Sequence, residues 1–226
     1  MNLLLHINTA MGIAMTGISR DNVIIASREN ASQKDHASFL QPAISEMARE
    51  TGITLDEIDG VTVVNGPGSY TGLRVGLSAA KGICFSLSKP LITISTLEWM
   101  ALPFKDNSYD YICPVIDARR MEVFTATYDR NLQCVSQPSA LILDENSFAE
   151  WLEKGTVLFT GNAVAKMPES LTSKANAVIS KNESSLAEQV FLGAIAYDKK
   201  EYADLAYAEP FYIKPFFSGQ IVSLNN

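Results

Sequence analysis

Apolar and polar positions fall into two rhythms along the chain. Residues 3–8, about 12–18 and about 22–28 alternate or run apolar over short stretches, with Gly12 and the Ser19-Arg20-Asp21-Asn22 turn between them, and this predicts three short strands. Over about 38–50 the spacing changes to three and four, and Phe39, Leu40, Ala43, Ile44 and Met47 fall on one face of a helix. Pro42 lies near its start and is expected to delay or kink the first turn. Val61–Val64 is a β-branched run that reads as a buried strand, 71–87 reads as a second helix, and Leu91–Ile94 is a strand after Pro90. A polar break at Asp106-Asn107-Ser108 precedes a second set. Tyr111–Ile116, Met121–Tyr128 and about Leu132–Val135 read as strands, and Leu143–Glu153 as a helix capped by Asp144. Val157–Thr160 reads as a strand and Ser185–Tyr197 as a helix after Asn182-Glu183-Ser184, whereas Phe216–Asn226 has no clear pattern. The alternation predicts an α/β chain whose second half roughly repeats the element order of the first. The expected division is 1–105 and a smaller lobe over 106–226, with the late helix and tail free to return onto the first.

The densest local signal is Asn65-Gly66-Pro67-Gly68-Ser69-Tyr70-Thr71-Gly72-Leu73-Arg74-Val75-Gly76, a glycine turn between the Val61–Val64 strand and the helix that follows. Helix N-termini attract anions, but glycines at 66, 68 and 72 do not fit G-x-G-x-x-G, and no Lys-Ser or Lys-Thr completes a P-loop. Ser69 is placed to cap the helix. Along that helix Leu73, Leu77, Ala80, Cys84 and Leu87 form one apolar stripe, with Arg74, Ser78 and Lys81 on the far side. Gly72, Gly76, Ala79 and Ile83 form an adjacent stripe of mostly small residues. Interior glycines cost about 0.5–1 kcal/mol each against alanine, so they need a reason, and close approach of another helix supplies one. On packing grounds that helix belongs equally well to the same domain or to another chain.

Composition narrows the classes. The 226 residues are 47% hydrophobic and 9% aromatic, enough for one large domain or two lobes with real cores. A net charge of −7 with scattered Lys and Arg disfavours direct, tight nucleic-acid binding. Cys84, Cys113 and Cys134 form no close-spaced motif, which suits a reducing cytosol. The absence of a signal-like start or of a membrane-length apolar run leads to an expectation of a soluble, cytoplasmic protein with no membrane role. His6 and His36 are the only histidines and cannot form H-x-x-x-H or H-E-x-x-H, so no metal is expected. His6 falls in a core strand as a hydrogen-bonded structural residue, and His36 is expected at the surface. There is no G-x-S-x-G, and no histidine is recognisable as a partner for Ser69.

Four segments together resemble the TsaB (YeaZ) family of tRNA threonylcarbamoyladenosine synthesis. They are Gly66-Pro-Gly-Ser-Tyr-Thr-Gly-Leu-Arg-Val-Gly76, Leu3-Leu-Leu-His-Ile-Asn-Thr-Ala10, Asp117-Ala-Arg-Arg-Met-Glu-Val-Phe124 and Ala208-Glu-Pro-Phe-Tyr-Ile-Lys214. They lie in family order and span nearly the whole chain. The resemblance implies two ribonuclease-H-like lobes, the architecture of the actin/hexokinase/heat-shock ATPase superfamily, in degenerate form. That superfamily generally ends its first strand in an acid that organises hydrated magnesium, a hard cation that prefers anionic oxygens. Here the position is Asn8, and Thr9-Ala10-Met11 lacks the glycine-led phosphate loop. Asp117 is followed by Ala118 and Arg119 rather than glycine, and Arg119-Arg120 suits either an anion or ion pairs with Glu122. The H-x-x-x-H metal motif of the catalytic paralogue TsaD is missing. The implied role is therefore a non-catalytic scaffold or activator, with no cofactor, that binds TsaD while threonylcarbamoyl is transferred to N6 of adenosine in tRNA. The ATPase TsaE joins a larger complex, tRNA is met only through that complex, and a homodimer forms when TsaD is absent. The implied interface is Phe39, Leu40, Ala43, Ile44, Met47, Gly72, Gly76, Ala79 and Ile83. The rival is a self-sufficient hydrolase, ATPase or peptidase-like, with an unrecognised site; fold kinship alone is a weak warrant for it.

Overall fold

The strand over Leu3–Asn8 (β1) is buried along its whole length, which requires cover on both faces. The cover is visible in a computed structural model describing residues 2–32, 35–105 and 107–214; Phe216–Asn226 lies outside the described residues. β1 pairs antiparallel with β2 (Ala14–Arg20) and parallel with β4 (Gly60–Gly66). With β3 (Val23–Asn30) and β5 (Leu91–Ser95) the sheet order is β3-β2-β1-β4-β5. Side chains alternate across this sheet. Leu5, Ile7, Val61 and Val63 share a core with Leu40, Ile44 and Met47 of α1 (His36–Thr51) and with Leu77 and Ala80 of α2 (Tyr70–Leu87). His6 and Thr62 point the other way, towards α6 (Leu186–Asp198), where a Cβ on Gly193 would meet Thr62 at 2.6 Å and His6 at 3.5 Å.

A second sheet repeats the first. β6 (Tyr111–Asp117), β7 (Glu122–Asp129), β8 (Cys134–Ile142), β9 (Val157–Thr160) and β10 (Ala177–Ile179) take the order β10-β9-β6-β7-β8. β6 is antiparallel to β7 and parallel to β9, as β1 is to β2 and β4. Its outer face packs Cys113, Val115 and Phe159 against the segment containing α4 (Ala149–Lys154) and α5 (Glu169–Thr172). Between the sheets, Leu97 and Met100 of α3 (Thr96–Ala101) join Ile92 and Ile94 from the first sheet to Ile112, Ile116 and Leu158 from the second. Trp99 Nε1 donates to Ser185 O at 2.8 Å and ties α3 to the start of α6. Two ribonuclease-H-like α/β lobes therefore share one central core. α6, although it follows the second sheet in sequence, packs on β1, β4 and β5 of the first. Among the described residues no helix is long and apolar enough to cross a membrane.

Some expected elements are corrected. α1 begins at His36, ahead of Pro42, so the proline does not delay it. The turn before Pro42 is held by burial of His36 and Leu40, and Pro42 itself faces solvent. His36 is 3% exposed with Nε2 3.3 Å from Gly12 O, not at the surface. Asp144 does not cap a long helix. Its carboxylate accepts from Asn146 N and Ser147 Oγ at 3.0 and 2.9 Å, a local Asx turn, and α4 starts only after Phe148, which sits at φ 61°. β8 runs on to Ile142, and α3, α5 and β10 are additional elements.

Candidate functional site

α2 is placed by three local devices. β4 delivers the chain to Gly66, at φ 125°. Ser69 Oγ accepts from Gly72 N at 3.3 Å and caps the helix as expected. Thr9 Oγ1 then donates to Gly72 O at 2.6 Å and pins the first turn to the end of β1. Thr9 also explains two of the interior glycines, Gly72 and Gly76. A Cβ at Gly72 would lie 2.0 Å from Thr9 O, and one at Gly76 2.3 Å from Thr9 Oγ1. The expectation that Gly72 and Gly76 form a face for another helix is thus corrected: their missing side chains let α2 settle onto its own strand. Leu40, Ala43, Ile44 and Met47 likewise point into the first lobe's core, with at most 4% exposure. Of the expected partner residues, Phe39 and Ala79 remain half-buried, and Ile83 is 9% exposed within the same core.

The outward face of α2 lies a fraction of a turn away. Thr71, Arg74, Ser78, Gly82 and Phe85 are all exposed and fall on one stripe. A Cβ at Gly82 would meet nothing within 4 Å. Phe85 is 81% exposed, a large apolar ring on a surface of small and polar residues. In the sequence the signal for this face is a lone aromatic among positions that otherwise read as polar.

The second feature is a cleft of about 530 Å³ between the lobes. Ala10–Gly12 and Pro67–Thr71 line it from the first lobe, Ile116–Arg119 and Glu122 from the second, and Phe211–Lys214 from the end of the described chain. Asn8, at the end of β1, is fully buried and its Oδ1 accepts from Ala10 N at 3.1 Å, so this amide oxygen holds its own loop. Asp117 accepts from Lys166 Nζ and from Arg119 N, and the Lys166 ammonium foremost keeps its carboxyl below the ordinary range. Glu122 pairs with Lys214 rather than with Arg119 or Arg120. Arg119 and Arg120 form the hairpin tip with φ of 70° and 49°. Among the described residues no group of three or more His, Cys, Asp or Glu is placed to hold a metal ion.

His6, on β1, is fully buried beneath α6. Its Nδ1 is 2.7 Å from Thr62 Oγ1 and its Nε2 2.7 Å from Ser19 Oγ, and burial lowers its pKa to about 3. Gln189 Nε2 from α6 donates to Ile7 O and Thr62 Oγ1 at 3.1 and 3.0 Å. The structural role expected for His6 agrees with these contacts.

Duplicated lobes packed through α3 and α6, with a cleft between them, define a two-lobed protein of the actin-like ATPase architecture. Residues 24–210 match the family model described as TsaD: tRNA N6-adenosine threonylcarbamoyltransferase. A Bacillus subtilis protein named tRNA threonylcarbamoyladenosine biosynthesis protein TsaB is 29% identical over 207 residues, covering 88% of this chain and 82% of that one. A tRNA N6-adenosine threonylcarbamoyltransferase from Symbiobacterium thermophilum is 46% identical over 63 residues, which are 28% of this chain and 18% of that one. The solved structure of YeaZ from Pseudomonas aeruginosa superposes with a TM-score of 0.78 at 20% identity, covering 94% of this chain and all of that one, and so supports the fold. The chain belongs to the TsaB (YeaZ) family, within the wider family that the threonylcarbamoyltransferase model describes.

Proposed function

We propose that this chain acts in tRNA threonylcarbamoyladenosine synthesis as a non-catalytic subunit, binding a catalytic transferase of its own wider family through the first lobe, residues 1–105. The observation that carries the reading is the outward stripe of α2, where Phe85 stands 81% exposed beside Ser78 and Gly82. Aromatic side chains of this kind anchor protein interfaces. The contact surface is Phe39 and Ala79 with Ser78, Gly82 and Phe85, and a second copy of the chain occupies it when the transferase is absent. The state of Asn8 supports the non-catalytic part: an amide, not a carboxylate, ends β1, and its Oδ1 accepts from Ala10 N–H. The ATPase of the system and the tRNA meet this chain through the assembled complex, in the cytoplasm. Reconstitution tests the reading. Modified adenosine should form when transferase, chain, tRNA, ATP and threonylcarbamoyl-AMP are combined with the ATPase, and should fall sharply when the chain is left out; the chain alone should neither modify tRNA nor turn over ATP. Full activity without the chain, or Mg²⁺-dependent turnover by the chain alone, would count for the hydrolase reading.

A further inference from the structure

After α6 the described chain turns back across the first lobe, and Lys214, its last residue, reaches the second. Ala203 N donates to Leu91 O at 2.8 Å, beside the edge strand β5. Lys81 Nζ, from α2, donates to Ala206 O and Ala208 O at 3.2 and 3.0 Å. Asn65, at the end of β4, makes a two-way contact: its Nδ2 donates to Glu209 O at 3.0 Å and its O accepts from Phe211 N at 2.8 Å. Gly66 permits this approach, since a Cβ there would lie 2.5 Å from Phe211 O. The Tyr212 ring packs 5.2 Å from that of Tyr70, and its hydroxyl accepts from Arg74 Nε at 3.0 Å. Two residues later Lys214 leaves the first lobe and pairs with Glu122, the first residue of β7 after the β6–β7 turn. Glu122 is held in turn, because its backbone oxygen accepts from Lys166 Nζ.

We propose that residues 203–214 are a strap between the lobes, latched by the Lys214–Glu122 pair, so that docking of the strap on the first lobe depends on the hairpin of the second. Every other strap contact named above is made with the first lobe; Lys214 reaches across to the second. Both ends of this connection line the cleft, Phe211–Lys214 on one side and Glu122 with Arg119 on the other. The coupling is reciprocal: whatever engages the hairpin at Glu122 loosens the strap, and whatever lifts the strap frees the hairpin. This inference is independent of which partner covers α2.

Amide hydrogen exchange on the full chain tests it. The reporter is a peptide spanning Tyr207–Tyr212, which contains the Phe211 amide bonded to Asn65; a peptide spanning Val61–Val64 is the internal control. In Glu122→Gln and in Lys214→Met, exchange of the reporter should rise about two- to fivefold, the range of a partly exposed ion pair, with the control unchanged. Raised salt should move the wild-type reporter in the same direction. Reporter exchange unchanged in both variants would overturn the proposal. So would a rise in Glu122→Gln alone, which would trace the effect to the hairpin. If Glu122→Gln also loosens the control, Lys214→Met alone decides.

Discussion

His6 is the residue whose environment makes the sharpest solution statement. Two hydroxyls hold its ring, the site is fully buried, and its pKa falls from 6.5 to about 3. The unfolded chain therefore binds a proton that the folded one refuses between these values. The sign follows: the contribution is fully present above pH 6.5 and is lost progressively as pH falls towards 3. Stability should drop by up to about 1.4 kcal/mol per pH unit in that window from this residue, read as urea midpoints at stepped pH, while the His6 ring resonances keep their neutral-form shifts. Normal titration of His6 near 6.5 in the folded protein would contradict the burial. Two glycines of α2 give an opposed pair at the same scale. Gly76→Ala should destabilise by about 1–3 kcal/mol, because its Cβ would press on Thr9 Oγ1. Gly82→Ala, with open space around it, should stabilise by about 0.5–1 kcal/mol, read from thermal or urea unfolding.

At the scale of elements, what was legible followed from periodicity and caps. The β-branched run at 61–64 and the Ser69 cap fix β4 and α2 to within a few residues, whereas the cap expected for α6 at Asn182-Glu183-Ser184 falls one residue on, at Ser185, which forms a capping box with Glu188. The missed elements are short. α3, α5 and β10 span 6, 4 and 3 residues, too few for a period to appear, and packing rather than local preference forms them. Asp144 misled because a carboxylate ahead of an apolar run satisfies both a helix cap and an Asx turn, and the chain uses the turn. The glycine stripe misled in a related way. Sequence shows that two neighbouring helical positions want no side chain, but not which surface demands it; the strand end at Thr9 does so here. His36 was misplaced because nothing local signals that the Gly12 loop folds over it.

At the scale of the whole molecule, the lobes cannot be treated as separate hinged bodies. One core runs from Ile92 through Leu97 and Met100 to Leu158, and the strap adds a polar link at the cleft. The outward face of α2, on the first lobe, is the surface on which the proposed function rests. The most direct measurement is a titration of the purified transferase with wild-type chain, Phe85→Lys and Gly82→Leu, each checked for its unfolding transition. Lysine at 85 suits the last turn of α2, which has no basic residue, and leucine is a better helix former than glycine, so both variants should keep wild-type stability or exceed it. The account predicts that both lose at least about tenfold in affinity, the loss expected when an aromatic anchor is removed or a close contact is propped apart. Wild-type affinity in both folded variants would contradict it and remove this face of α2 from the interface.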